Sequence, residues 1–180
     1  VTHPKTRFIS FTGSKGVGLH INEQAAKTRP GQIWIKRVVA EMGGKDAIVV
    51  ADDADLDAAA SGAVSAAFGF QGQKCSACSR LIVDEKVHDE LMAKVVELTN
   101  KLVQGQPDDA STNVAAVINK RSFDTTMKYI AKGIEEGGEL LTGGKGDDSS
   151  GFYIEPTVIS NVQPGATIEQ EEIFAPVLAV

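Results

Sequence analysis

Cys75 stands in the segment Phe70-Gln71-Gly72-Gln73-Lys74-Cys75-Ser76-Ala77-Cys78-Ser79-Arg80, after an alanine-rich run and before a strand-like one. A thiolate adds readily to a carbonyl carbon, and its pKa falls near a helix start or amide donors. Backbone N–H groups, Asn and Gln stabilise the oxyanion that such an addition creates. Glu41, in Glu41-Met42-Gly43-Gly44-Lys45, is a carboxylate at a strand end beside two glycines, suited to general-base work in a cleft. Gly13-Ser14-Lys15-Gly16-Val17-Gly18 forms a turn between a strand and a helix. Its glycines let backbone approach an anion closely, and the N–H groups of a helix start favour a phosphate. It matches neither the dinucleotide fingerprint nor a Walker A loop. In Glu171-Glu172-Ile173-Phe174-Ala175-Pro176, an acid fit for a ribose hydroxyl stands two residues before an aromatic fit to pack on a ring.

Each feature has a plainer use. A free cysteine is commonly a buried packing thiol. Cys75 and Cys78 also have the Cys-x-x-Cys spacing of redox or metal pairs. Redox pairs open a helix after a strand, whereas this one follows a helix-like run, and no second ligand pair completes a zinc set. Cys78 therefore reads as a packing thiol. His3, His20 and His88 lack metal-ligand spacing, and His88, at a helix start, is expected to face solvent. The glycine turn serves equally as a tight connection, Glu41 as an exposed strand end, and Glu172 as part of a loop entering a strand.

These residues need elements to hold them. Arg7-Phe8-Ile9-Ser10-Phe11 alternates as a strand. A helix is expected from about Val17 to Lys27 with Ser14 as its cap, then a strand over Ile33–Ala40. Ala47–Val50 reads as a buried parallel strand. Asp52 to Asp57 supply caps and negative charge to an alanine-rich helix through Phe68, apolar almost all round and so expected to be buried. Strand Leu81–Val83, helix Val87–Val103, helix Ser122–Ile134, a short strand at Leu140-Leu141, an exposed polar loop at 146–151 and a strand over Phe152–Ile159 follow. Strands alternating with helices predict an α/β fold with a mostly parallel sheet and flanking helices.

Hydrophobic content of 42% and charged content of 23% are those of an ordinary globular chain. A net charge of −6 without a basic run disfavours nucleic acid as a partner. No apolar run reaches the roughly 18–20 residues that cross a bilayer, so no membrane partner is expected. Two cysteines and no signal-peptide pattern make a reducing, cytoplasmic setting the expectation. The start without Met and the end inside Ala175-Pro176-Val177-Leu178-Ala179-Val180 read as a piece of a longer enzyme.

Taken in order, Phe11-Thr12-Gly13-Ser14, Glu41-Met42-Gly43-Gly44-Lys45, Gly72-Gln73-Lys74-Cys75 and Glu171-Glu172-Ile173-Phe174 with Pro176 resemble the aldehyde dehydrogenase superfamily. Phe68 to Ala77, with Trp34 and Lys36 in a longer interval before Glu41, resembles the branch that oxidises glutamate γ-semialdehyde to glutamate in proline and arginine catabolism. The resemblance implies residues 1–44 as the end of an NAD-binding domain, Rossmann-like, and 45–180 as part of the thiol-bearing catalytic domain. It implies Cys75 as nucleophile and Glu41 as base. It implies Gly13, Ser14, Val17, Glu172 and Phe174 at NAD, with NADP open, and Ser76 at a small-molecule aldehyde. It implies a homo-oligomer for the full-length enzyme and little activity for this piece alone. The family's usual glycine at position 175 is Ala175 here. An acylating relative, or a non-catalytic module that kept the fold, are the other readings. Glu41, a base that favours hydrolysis, speaks against the first, and the presence of both Cys75 and Glu41 speaks against the second.

Overall fold

The computed structural model describes all residues, 1–180. The chain divides into two compact units, Val1–Gly44 and Lys45–Val180. No helix is long and apolar enough to cross a membrane.

In the first unit, strands β1 (Phe8–Thr12) and β2 (Arg37–Glu41) pair in parallel, from Phe8 opposite Arg37 to Thr12 opposite Glu41. Helix α1 (Lys15–Ala26) lies between them in sequence, as a parallel connection requires. Gly18 is buried where α1 meets the residue after β2, and a Cβ on it would stand 2.6 Å from Met42 Sδ. The strand expected from Ile33 starts only at Arg37. β1 offers five residues to pair with, so Ile33 and Ile35 have no strand opposite and are 82% and 90% exposed. Side-chain bonds order this stretch instead: Gln32 Nε2 donates to Trp34 O at 2.9 Å, and Trp34 Nε1 donates to Thr6 O at 3.1 Å.

The second unit is built on a five-stranded sheet. Its strands in chain order are β3 (Ala47–Val50), β4 (Arg80–Val83), β5 (Glu139–Thr142), β8 (Thr157–Ser160) and β9 (Val177–Ala179). The spatial order is β3-β4-β9-β8-β5, parallel except for β5. The mostly parallel α/β expectation holds. β6 (Gly146–Asp147) and β7 (Tyr153–Ile154) form a separate antiparallel pair, so the start of the polar 146–151 segment is strand rather than loop. The single strand expected over Phe152–Ile159 is divided into β7 and β8 at Glu155-Pro156, where proline brings no N–H to a ladder.

Helices α2 (Leu56–Phe68), α3 (His88–Asn100), α4 (Lys120–Glu135) and α5 (Thr167–Gln170) complete the unit. Asp55 caps α2 by accepting from the N–H groups of Asp57 and Ala58, both at 3.1 Å. Asn119 caps α4 through Ser122 N at 2.9 Å. The two-residue period of β8 and β9 divides the core. Val158 and Leu178 join Ala60, Ala63, Val64, Ala67 and Phe68 of α2 and Leu91, Met92 and Val95 of α3. Ile159, Val177 and Ala179 join Phe123 and Ile130 of α4 and Ile168 of α5. The central strands are thus apolar on both faces, as parallel strands between helix layers must be. Burying each large side chain, such as Phe68, Leu91 or Leu178, contributes about 1.5–3 kcal/mol.

Two burial expectations are corrected. α2 is buried on one face only, and Asp57, Ala58, Ser61, Gly62 and Ser65 are exposed. An alanine-rich helix has little polar contrast by which a sequence could declare its outer face. β3 is an edge strand, and Val49 is 72% exposed although Val50 is buried.

Candidate functional site

In the first unit, β1 runs into the Gly13-Ser14 turn and α1 begins at Lys15. Ser14 occupies the cap position in extended conformation, and its side chain makes no capping bond. The first intrahelical bond runs from Gly18 N to Ser14 O at 3.0 Å. The N–H groups of the first turn are therefore free of intrahelical partners. A Cβ on Gly16 would meet nothing within 4 Å, so that turn borders open space. Gly13, Ser14 and Val17 are all exposed. Glu41 ends β2 beside them: Gly13 N donates to Glu41 O at 3.0 Å, and Glu41 is itself exposed. This unit brings together Gly13, Ser14, Val17 and Glu41. The free amides, open space and absence of acidic residues in the first turn fit a phosphate group.

In the second unit, Cys75 sits in a turn tethered on every side. Phe70, Gln71 and Gly72 run consecutively left-handed, with φ of 57°, 58° and 66°. Such conformations cost non-glycine residues about 1–3 kcal/mol each and persist only where surroundings impose them. At Gly72 the cause is visible, since a Cβ would lie 2.4 Å from Ala175 O. Gln73 Oε1 accepts from Ile118 N at 3.0 Å. Ala77 N donates to Lys74 O at 3.1 Å, closing the turn over Cys75 and Ser76, and Cys78 N donates to Ala66 O at 3.2 Å. Cys75 and Ser76 are exposed, whereas Cys78 is buried. Burial pushes the Cys78 thiol up, and its Sγ donates to Arg80 O at 3.2 Å. It is a packing thiol, as the sequence suggested.

The segment after α5 lies against that turn at Ala175. Ile173 and Ala175 are buried, while Glu172 and Phe174 are exposed, and Phe174 has φ of 57°. α4 pins the segment. Thr167 N and Oγ1 each donate to the Glu136 carboxylate at 2.7 Å, and Tyr129 Oη donates to Glu171 Oε2 at 2.6 Å. The Glu171 bond, foremost, raises the Tyr129 phenol to about 12. This unit brings together the turn of Cys75 and Ser76 and the segment of Glu172 and Phe174.

Two residues near this turn had no role in the sequence reading. Arg80 spans from Lys45 O to Glu169, and the Lys45 Nζ is buried without a hydrogen-bond partner. Burial and the neighbouring Arg80 lower the Lys45 ammonium to about 8, against the pull of Glu169 and Glu172. A cation opening an apolar strand, as Arg80 does before Leu81-Ile82-Val83, was the available signal. His88 corrects another expectation. It is half-buried, with Nε2 3.0 Å from Ser160 Oγ and Nδ1 2.9 Å from the Asp89 carboxylate. The fold brings Ser160, 72 residues away, to the start of α3. Ser160 is 1% exposed, so its hydroxyl is closed to any substrate.

The family model described as "Aldehyde dehydrogenase family" matches residues 1–180. This chain belongs to the aldehyde dehydrogenase family. It is 59% identical over 179 residues to the 1-pyrroline-5-carboxylate dehydrogenase of Geobacillus sp. (strain WCH70), covering 99% of this chain and 35% of that relative. It is 54% identical over 180 residues to the enzyme of the same name from Bacillus subtilis (strain 168), again covering 35% of that relative. The chain thus spans about a third of the length of these aldehyde dehydrogenases. Among solved structures it resembles 1-pyrroline-5-carboxylate dehydrogenase from Thermus with bound NAD, at a TM-score of 0.94 and 46% identity, covering 99% of this chain and 34% of that one. A NAD-dependent aldehyde dehydrogenase from Sinorhizobium meliloti gives a TM-score of 0.90 at 40% identity, covering 96% and 33%.

Proposed function

We propose that this chain is the part of a NAD-dependent aldehyde dehydrogenase that carries the nucleophile and the base. Its substrate is glutamate γ-semialdehyde, the open form of 1-pyrroline-5-carboxylate. The observation that carries the reading is the backbone contact of Gly72 with Ala175, which sets the exposed Cys75 turn against the segment of Glu172 and Phe174. The names of the relatives support the substrate.

Residues 1–44 serve in the cofactor domain and 45–180 in the catalytic domain. The free first-turn amides near Gly13, Ser14 and Val17 receive phosphate, Glu172 holds a ribose hydroxyl, and Phe174 packs beside the ring. When bound, NAD supplies the two-electron acceptor. Cys75 Sγ bonds the carbonyl carbon, and Ser76 stands beside the substrate. Once the bound carbon has been oxidised, the acyl group stays on sulfur as a thioester. Glu41 takes a proton from the water that cleaves the carbon–sulfur bond, which releases the carboxylic acid and restores the thiol. Substrate entry, the rest of the NAD site, a cytoplasmic location and homo-oligomer formation are assigned to the full-length protein.

Cys75→Ala in that protein abolishes NADH formation from the semialdehyde. Glu41→Gln retains a first-turnover burst of NADH and slows steady turnover by about a hundredfold. Substantial steady NADH formation by Cys75→Ala defeats the proposal.

A further inference from the structure

We infer that Arg80 is a positioning residue that sets cofactor affinity by holding the backbone ahead of Glu172. The inference rests on the assignment of Glu172 to the cofactor. Arg80 Nε and Nη2 both donate to Lys45 O, at 3.0 and 2.7 Å, and Nη1 donates to Glu169 Oε1 at 2.8 Å. A guanidinium is a rigid planar fork, so seating two donors on one carbonyl fixes where the third points. That direction places Glu169, three residues before Glu172, relative to the entrance of β3. Both side chains are mostly covered, 31% and 21% exposed, so water screens the pair less than it would a surface pair.

α5 has only four residues and cannot hold itself as an isolated helix. It is held from two sides. Tyr129 of α4 and Glu136, the residue that caps its end, bind Glu171 and Thr167, and Arg80 binds Glu169 from the β4 side. Glu169 also accepts from the Gln170 amide and from Gly165 N. The Gln170 bond first, and then Arg80, keep its carboxyl below the usual range, so it stays ionised for the guanidinium. The buried, unpartnered Lys45 Nζ is a second cation that Glu169 and Glu172 both attract. Removing Arg80 takes away the polar tie from β4, leaving α5 its bonds to Tyr129 and Glu136 and the buried Ile168, and leaves Lys45 to compete for the same carboxylates. Glu172 then loses its fixed presentation while the Cys75 turn keeps its own tethers at Gln73, Ala77 and Cys78.

The test uses the full-length protein with Arg80→Ala, Arg80→Lys, Glu169→Gln and the double variant Arg80→Ala/Glu169→Gln. Three quantities are read: NADH dissociation constants by fluorescence, amide exchange over residues 167–174 without cofactor, and the rate of Cys75 alkylation by iodoacetamide without cofactor. Arg80→Ala weakens NADH binding by about tenfold, the scale of one lost charge-assisted contact, and speeds exchange in that segment. Cys75 alkylation changes by less than about twofold, Arg80→Lys does not restore affinity, and added guanidinium ion does. Glu169→Gln reproduces the loss, and the double variant adds nothing to it. If Arg80→Ala does not fold, Glu169→Gln carries the same expectations. NADH affinity and segment exchange unchanged in a folded variant overturn the inference while the functional reading stands. Accelerated exchange throughout the protein overturns it in favour of general destabilisation. A wild-type protein that does not bind NADH overturns both.

Discussion

The bare Cα of Gly72 faces the carbonyl oxygen of Ala175 so closely that a methyl group there would lie 2.4 Å from it. The same glycine has φ of +66°. Gly72→Ala thus meets a steric and a conformational penalty at once. It is expected to cost about 2–4 kcal/mol, seen as a lower urea midpoint at unchanged slope. A midpoint equal to that of the wild type would show that the turn and the Ala175 segment part easily.

The two thiols should separate by accessibility. Cys75 is exposed, and Cys78 is 4% exposed with its pKa raised by burial. Ellman's reagent should label one thiol rapidly and leave the other silent until the protein unfolds. Cys75→Ala should remove the rapid phase and Cys78→Ala should leave it. Two equal rates in the folded protein would contradict the burial.

Lys45 predicts how stability depends on pH. Its folded pKa is about 8 against 10.5 unfolded. Between these values the unfolded chain binds more protons than the folded one, so stability rises with pH from about 8 to 10.5. Below 8 the destabilisation is fully present and constant. The span is on the order of 2 kcal/mol after allowance for partial exposure. Denaturant midpoints measured for wild type and Lys45→Met should differ by a constant gap below pH 8 that closes between about 8 and 10.5, with Lys45→Met flatter. Parallel curves would place the ammonium in water.

Thr157 tests the join between the β5 turn and β8. Its hydroxyl donates to Glu155 O at 2.7 Å and accepts from Gly144 N at 2.9 Å, in a residue that is 0% exposed. Thr157→Val keeps the shape and orphans the Gly144 N–H. The expected loss is about 1–3 kcal/mol, measured by thermal or urea unfolding. A neutral variant would mean that water reaches the amide.

The readability of the chain followed the range of its interactions. Strand–helix alternation was legible because α3 and α4 carry helical periodicity and β8 and β9 lie in short β-branched or apolar runs. Asp55 announced the start of α2, as an acidic cap should. Glu41 and Gly13 fell at element ends that glycines and β-branched runs mark. Periodicity is silent on partners. It placed Ile33 in a strand that β1 is too short to support, and it left His88 in solvent although Ser160 bonds it. Arg80 and Glu169 are 89 residues apart, and nothing local at either position names the other. The left-handed Phe70 and Gln71 were equally hidden, since neither residue type favours that conformation.

β9 comes last of the nine strands in the chain yet lies third among the five of its sheet, between β4 and β8. As a ribosome delivers this sequence, β3 and β4 emerge with α2 and α3, and later β5 and β8 emerge with α4. These two half-sheets have no edge in common until Val177–Ala179 arrives. Leu178 seals one core and Val177 and Ala179 the other in a single event. Until then both apolar faces and two strand edges stay open, a window in which a nascent chain invites chaperone capture or mispairing.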